Sequence, residues 1–136
     1  MALNSKTREA VYKKYDAHCS YCGEEMKSIK EMQVDHCIPQ SCFKMHTKNN
    51  FKVPAHLRHL TESDVNHIDN LMPACRVCNK WKSSHDLELF RSEIESQIER
   101  LNSYNSNYRF AKRYDLLVEV KKPVVFYFET LEKKIS

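Results

Sequence analysis

The sequence predicts a small α+β domain in which two short strands and several helices are tied together by paired cysteines. Three observations carry that prediction. Residues 31–38 (EMQVDHCI) and 70–74 (NLMPA) are short apolar runs of strand length. Leu87, Phe90, Ile94, Ile98 and Leu101 recur at spacings of 3, 4, 4 and 3, the one-faced pattern of an amphipathic helix. Cys19-x-x-Cys22 and Cys75-x-x-Cys78 bracket both strand candidates. With 136 residues the chain has the size of one domain. We expect a single unit over 1–136, with a core at 19–82 and a C-terminal extension over 84–136.

The elements follow in order. Residues 5–16 read as a helix, with Ser5 as N-cap and Val11 and Tyr15 on one face. The tight turn of the first cysteine pair comes next, then the first strand, ended by Pro39. Residues 40–69 show no clean period; Pro54 can open one helical turn through Leu60. The second strand leads into CRVCNKWK and a helix. A helix from Ser84, capped by Ser84, carries the Leu87–Leu101 stripe, and NSYNSN breaks it. Residues 108–117 read as a further helix with Phe110, Tyr114 and Leu117 on one side. After Pro123, the β-branched and aromatic run VVFYFE reads as a late strand. Such a strand has to be covered or paired, so pairing between two chains, a homodimer, stays open. Trp81 and the aromatics of VVFYFE are expected in the core.

Composition removes several classes. At 41% hydrophobic and 29% charged, with one Gly and four Pro, the chain is neither disordered nor collagenous. No stretch approaches the roughly 20 apolar residues of a membrane span. The start, MALNSKTREAVYKK, lacks the apolar run of a secretory leader, so a cytoplasmic, non-membrane protein is expected. The net charge of +4 is local: residues 1–40 and 83–136 each balance, whereas 41–82 hold seven Lys/Arg against three Asp/Glu, 7 − 3 = +4. A basic middle third suits a polyanion, since neutralising phosphates releases their counterions.

The cysteines are the strongest chemical signal. Two-residue spacing lets both sulfurs of a pair face one ion, and two pairs complete the closed tetrahedral thiolate shell of structural zinc. Cys19, Cys22, Cys75 and Cys78 are therefore the expected structural zinc ligands, in preference to small core residues paired by accident. Cys37 and Cys42 read as buried small hydrophobes. Between the pairs stand Asp35-His36, Asn70 and Asn79. Taken singly each has a plain reading: Asn70 as a turn former, Asn79 as a helix cap. Neighbouring strand residues point to opposite faces, so Asp35 and His36 share a site only where the strand ends or bulges.

Taken together, Cys19-x-x-Cys22, then Val34-Asp35-His36-x-Ile38-Pro39-x-Ser41, then Asn70-Leu71-x-Pro73-x-Cys75-x-x-Cys78-Asn79-x-x-Lys82 resembles the HNH endonucleases, which belong to the ββα-metal (His-Me finger) nucleases. VDHCIPQS is also similar to the corresponding strand in the HNH domain of RNA-guided CRISPR nucleases. The resemblance covers residues 19–82. It implies a small ββα-metal core clipped by a zinc knuckle pair, and metal-dependent hydrolysis of DNA phosphodiester bonds, with RNA not set aside. It makes His36 the general base and Asn70 the residue that organises the loop and orients that base. Asp35 and Asn79 become ligands of one catalytic Mg²⁺ or Mn²⁺, Asn79 standing where many members have His.

The residue types suit that chemistry. Neutral imidazole can take a proton from water near pH 7, and a hard cation on oxygen ligands can clamp a phosphate. Arg76, Lys80 and Lys82 flank Asn79, where phosphate contacts are expected. His46, His56, His59 and His67 read as surface loop residues, and Arg109, Lys112 and Arg113 as a solvated face. The competing reading is a non-catalytic, zinc-stabilised nucleic-acid-binding module, which needs the cysteines and basic segment but not His36.

Overall fold

A computed structural model describes residues 3–44 and 51–135, with side chains over 3–43 and 51–131. Seven helices and one two-stranded antiparallel sheet make up the regular structure among these residues. His46 lies outside the described residues.

Helix α1 (Ser5–Lys14) begins one residue ahead of the expected cap: the Asn4 side chain, not Ser5, accepts from Thr7 N at 2.8 Å. Asn at an N-cap satisfies one of the amides left free by the first turn. Val11 is its fully buried contact. Strands β1 (Gln33–His36) and β2 (Leu71–Ala74) pair antiparallel, with Asp35 opposite Met72 and His36 opposite Leu71. A short helix, α2 (Gln40–Lys44), follows β1, and the connection to β2 carries two 3-10 turns, Ala55–Leu57 and Glu62–Asp64. Helix α3 (Arg76–Lys82) leaves β2 directly and packs on β1. Strand, strand and helix thus follow in that order inside the cysteine brackets.

The C-terminal third departs from expectation in four places. The single helix expected from Ser84 is two, α4 (Leu87–Glu95) and α5 (Gln97–Tyr104), joined at Ser96. Ser96 Oγ donates back to Ser92 O at 2.8 Å, a local bond that bends helices. Asp86 rather than Ser84 caps α4, accepting from Leu89 N at 2.8 Å. The helix expected over 108–117 is α6 (Ser106–Arg113), and Phe110 and Tyr114 are 62% and 65% exposed, so the side that carries them looks outward.

Finally, VVFYFE is not a strand: residues 117–126 form no regular structure and pair with no other strand among the described residues, and Tyr127 opens helix α7 (Tyr127–Ile135). The amides that a ladder would use go elsewhere. Tyr127 N donates to Tyr21 O at 3.0 Å and Phe128 N to Ser20 O at 2.9 Å. Glu129, three residues into the turn, accepts Phe126 N at 2.8 Å, half of a capping box.

The main core gathers Tyr21, Ile38, Leu57, Met72, Leu87, Phe90, Phe126 and Phe128. Tyr21 stands edge-on to Phe90 and Phe126, both at 5.5 Å, and the latter two stack at 5.4 Å. The aromatics Phe126 and Phe128 are therefore core, as expected of that run, but Trp81 is 48% exposed on α3. Val11, Met26, Met32 and Leu71 form a second cluster beneath α1.

Candidate functional site

The cysteine cluster is built by two turns that the core holds face to face. The first is a hairpin over 18–25, closed by Cys19 N donating to Glu24 O at 2.9 Å and Gly23 N to Cys19 O at 3.0 Å. Gly23 sits at φ +81°, and a Cβ there would approach Tyr127 Cδ1 to 3.0 Å, so turn and α7 both require glycine. The second is the start of α3, where Cys75 Sγ is the cap and accepts from Cys78 N at 3.4 Å. The Sγ atoms of Cys19, Cys22, Cys75 and Cys78 all lie within 4.8 Å of one another, and Cys22 is 3.9 Å from Cys75. Thiolates about 2.3 Å from a tetrahedral ion lie about 3.8 Å apart, so the four can hold a metal ion such as zinc.

The thiols share protons unevenly. A hydrogen bond from Cys78 holds the Cys19 thiol down at about 5 against its burial. The Cys78 thiol is pushed up by the same bond, and burial lifts Cys22 to about 11. Cys37 is wholly buried, its thiol lifted to about 12 by desolvation, which makes it an inert core residue.

The second site is a cleft of about 610 Å³ whose walls include Asp35, His36, Gln40, Asn66, Ser83 and Ser84. His36 ends β1 half-buried, and its Nε2 lies 2.8 Å from Asn66 Oδ1. With a carbonyl oxygen as acceptor, Nε2 carries the proton and Nδ1 keeps the lone pair. Asn70 is fully buried and satisfied. Its Oδ1 accepts from Ile38 N at 2.8 Å, and its Nδ2 donates to Ile38 O at 3.0 Å and Val65 O at 2.9 Å. It thereby ties the chain leaving β1 to the loop that brings Asn66 to His36. From the other side Lys14 Nζ donates to Ile68 O at 2.7 Å and Leu71 O at 3.0 Å. Ser83 lines the cleft at φ 49°, ψ −131°, a conformation that costs a non-glycine residue about 1–3 kcal/mol.

Asp35 and His36 do reach one cleft, because the strand ends at His36. Their environments differ. Asp35 is 5% exposed; its Oδ2 accepts from the Tyr21 hydroxyl and lies 3.0 Å from Lys82 Nζ. Burial raises the Asp35 carboxyl above its ordinary value, opposed by Lys82 and by the Tyr21 hydrogen bond. Burial, reinforced by the Asp35 charge, in turn lifts the Tyr21 phenol. Lys82 is wholly buried and also reaches the His36 and Cys37 carbonyls at 3.4 Å each. Expected as a phosphate contact, it is instead the internal counter-ion of Asp35, because the α3–β1 packing turns it inward.

Arg76 is exposed but shares its patch with Glu24, Glu25 and Glu31, away from the cleft. Lys80 is exposed on the same helix. Asn79 is half-buried on α3 and is not among the cleft residues.

Of the two expected cation ligands, Asp35 is held by Lys82 and the Tyr21 hydroxyl, whereas Asn79 has no hydrogen bond to Asp35, so the two are not brought together as a ligand pair.

His56, His59 and His67 are exposed, the last two against Asp69. On α6, Arg109 and Arg113 are exposed, and Lys112 pairs with Glu119 at 3.2 Å. Two site residues escape sequence reasoning. Tyr21 hides within the cysteine turn. Asn66 is 30 residues from His36, and its one sequence signal is its place four residues before Asn70. No protein-family model, curated protein or solved structure matches the chain.

Proposed function

We propose that the chain is a metal-dependent endonuclease of the HNH type that hydrolyses DNA phosphodiester bonds, built on a ββα-metal core. One observation carries the reading: His36, its Nε2 paired with Asn66, stands at the end of a strand and shares a cleft with Asp35. A neutral imidazole held at one nitrogen is prepared to act as a base at the other. Asn70 fixes the loop on which this pairing depends. Ser83, Ser84 and Gln40 supply neutral polar groups along the cleft for phosphate oxygens. Lys80 is an exposed basic side chain on α3 that could meet the backbone of a nucleic acid.

On this reading Asp35 and Asn79, not brought together in this structure, would have to close on the divalent cation, which when bound supplies charge neutralisation at phosphorus and at the leaving oxygen. The four-cysteine cluster would hold zinc and keep β2, α3 and the first turn in register, a task the small sheet cannot perform unaided.

A second reading has its own support. The Lys82–Asp35 pair already neutralises the carboxylate that a cation would need, which favours a non-catalytic, zinc-stabilised nucleic-acid-binding module. Conversion of supercoiled plasmid with Mg²⁺ or Mn²⁺, beside an EDTA control on zinc-loaded protein, separates the two. Cleavage that requires the added cation supports the nuclease. Salt-sensitive binding without cleavage in any metal supports the module.

A further inference from the structure

Three aromatic side chains of the C-terminal third stand in solvent. Tyr104, at the end of α5, is 86% exposed. Phe110 on α6 and Tyr114 just past it are one helical turn apart, their ring centroids at 5.1 Å. Other side chains of α6 are occupied: the Tyr108 hydroxyl donates to Glu119 at 2.7 Å, and Lys112 pairs with Glu119 at 3.2 Å. Leu116, Val118 and Val120 are exposed as well. Apolar side chains left uncovered together in one stretch of chain mark an interaction surface, unlike apolar residues exposed singly.

The charge around the rings indicates the partner. Residues 104–122 hold five Lys/Arg against two Asp/Glu, a surplus of three. Of the two acids, Glu119 is already taken by Lys112, Tyr108 and Asn102. Among the described residues Arg113, Lys121 and Lys122 are exposed and have no ion pair. Arg113 follows Phe110 by three residues, so it borders the same side of the helix. Exposed rings beside surplus cations match a polyanion that also carries flat apolar groups. A nucleic acid offers both, phosphates for the cations and base faces for the rings. Base faces are open to side chains only where the strand is unpaired, since a duplex stacks them on one another. We propose that the exposed side of α6 is a stacking platform for single-stranded nucleic acid, with Phe110 and Tyr114 against bases and Arg113 against the backbone. This rests on the nucleic-acid reading above and makes an unpaired strand part of what the protein binds.

Fluorescence anisotropy of a labelled oligothymidylate and of a labelled duplex of equal length tests this, with zinc-loaded protein and no added Mg²⁺ or Mn²⁺. The single strand should bind more tightly than the duplex. Phe110→Leu with Tyr114→Leu keeps apolar surface but removes the rings, and should weaken single-strand binding by about tenfold or more. Phe110→Tyr with Tyr114→Phe should bind as wild type does. Arg113→Gln should reduce the salt slope by roughly 0.7. Both rings are exposed, so helical circular dichroism and zinc content should stay unchanged in every variant. A double leucine variant that binds like wild type overturns the proposal, and so does a preference for the duplex. So does a wild type sedimenting at twice the 16.2 kDa chain mass that the leucine changes return to monomer, which gives the face to a second copy. Binding is read without cleavage, so the platform and the nuclease fail separately. Plasmid nicking by a protein that fails these tests removes the platform alone; ring-dependent binding of single strands without nicking sustains it.

Discussion

Replacing Lys82 with Met removes one ammonium group and keeps most of the aliphatic stem. Its side chain is 0% exposed and that of Asp35 6%, so the carboxylate left behind stays largely desolvated. Removing one member of a buried pair typically costs about 3–5 kcal/mol, because the other charge stays desolvated. The Tyr21 hydroxyl offsets part of this, which places the expectation near the lower bound, about 3 kcal/mol. At about 3–5 °C per kcal/mol, the melting midpoint should fall by roughly 10–15 °C at neutral pH.

The pH dependence fixes the sign. Burial already raises the Asp35 carboxyl above its ordinary 3.8, and Lys82 opposes that rise. In Lys82→Met the folded state therefore binds a proton to higher pH than the unfolded state does. Stability is then fully present below the unfolded value and falls as pH climbs from there through the raised folded one. The deficit should accordingly shrink on acidification. Adding Asp35→Asn should recover about 1–3 kcal/mol at neutral pH. Denaturant unfolding of wild type, Lys82→Met and the double variant at several pH values measures all of this. A loss under about 1 kcal/mol, or one that grows on acidification, would refute the counter-ion role.

Three further outcomes follow from the same geometry. Asn70→Ala leaves Ile38 N, Ile38 O and Val65 O without their partners, and should cost about 2–4 kcal/mol in denaturant unfolding. Gly23→Ala places a Cβ at φ +81° against Tyr127 and should cost at least about 1–2 kcal/mol while releasing α7, seen as lost helical circular dichroism. One Co²⁺ per chain should bind the cysteine cluster with the absorption of a tetrahedral thiolate site, and Cys19→Ser should abolish that spectrum.

What sequence reading reached, and what it did not, follows from the range of the interactions involved. Strands β1 and β2 and helix α3 sit close to their expected positions because local signals agree there: apolar runs, Pro39, and a cysteine turn at each end. The clustering of the four cysteines was legible because metal geometry constrains spacing directly. Lys82 was misread because composition does not distinguish an outward lysine from one turned into a carboxylate 47 positions earlier (82 − 35). VVFYFE has strand composition, yet its amides meet the Ser20 and Tyr21 carbonyls, a long-range pairing that hydropathy cannot reveal. The outward Phe110 and Tyr114 follow a helical period faithfully; period locates a face but not what covers it. Asn66 lies in a segment without any period, and only the fold brings it to His36.

The central claim is that His36 is the base of a phosphodiester hydrolysis. The most direct test is the rate of supercoiled plasmid nicking by wild type and His36→Ala, both verified as folded and zinc-loaded, in the same divalent cation. His36 is half-buried and its side-chain bond is to Asn66, so the substitution should leave the fold intact. His36→Ala should nick at a rate lower by about a hundredfold or more. Equal rates in the two proteins would contradict it and remove His36 from the chemistry.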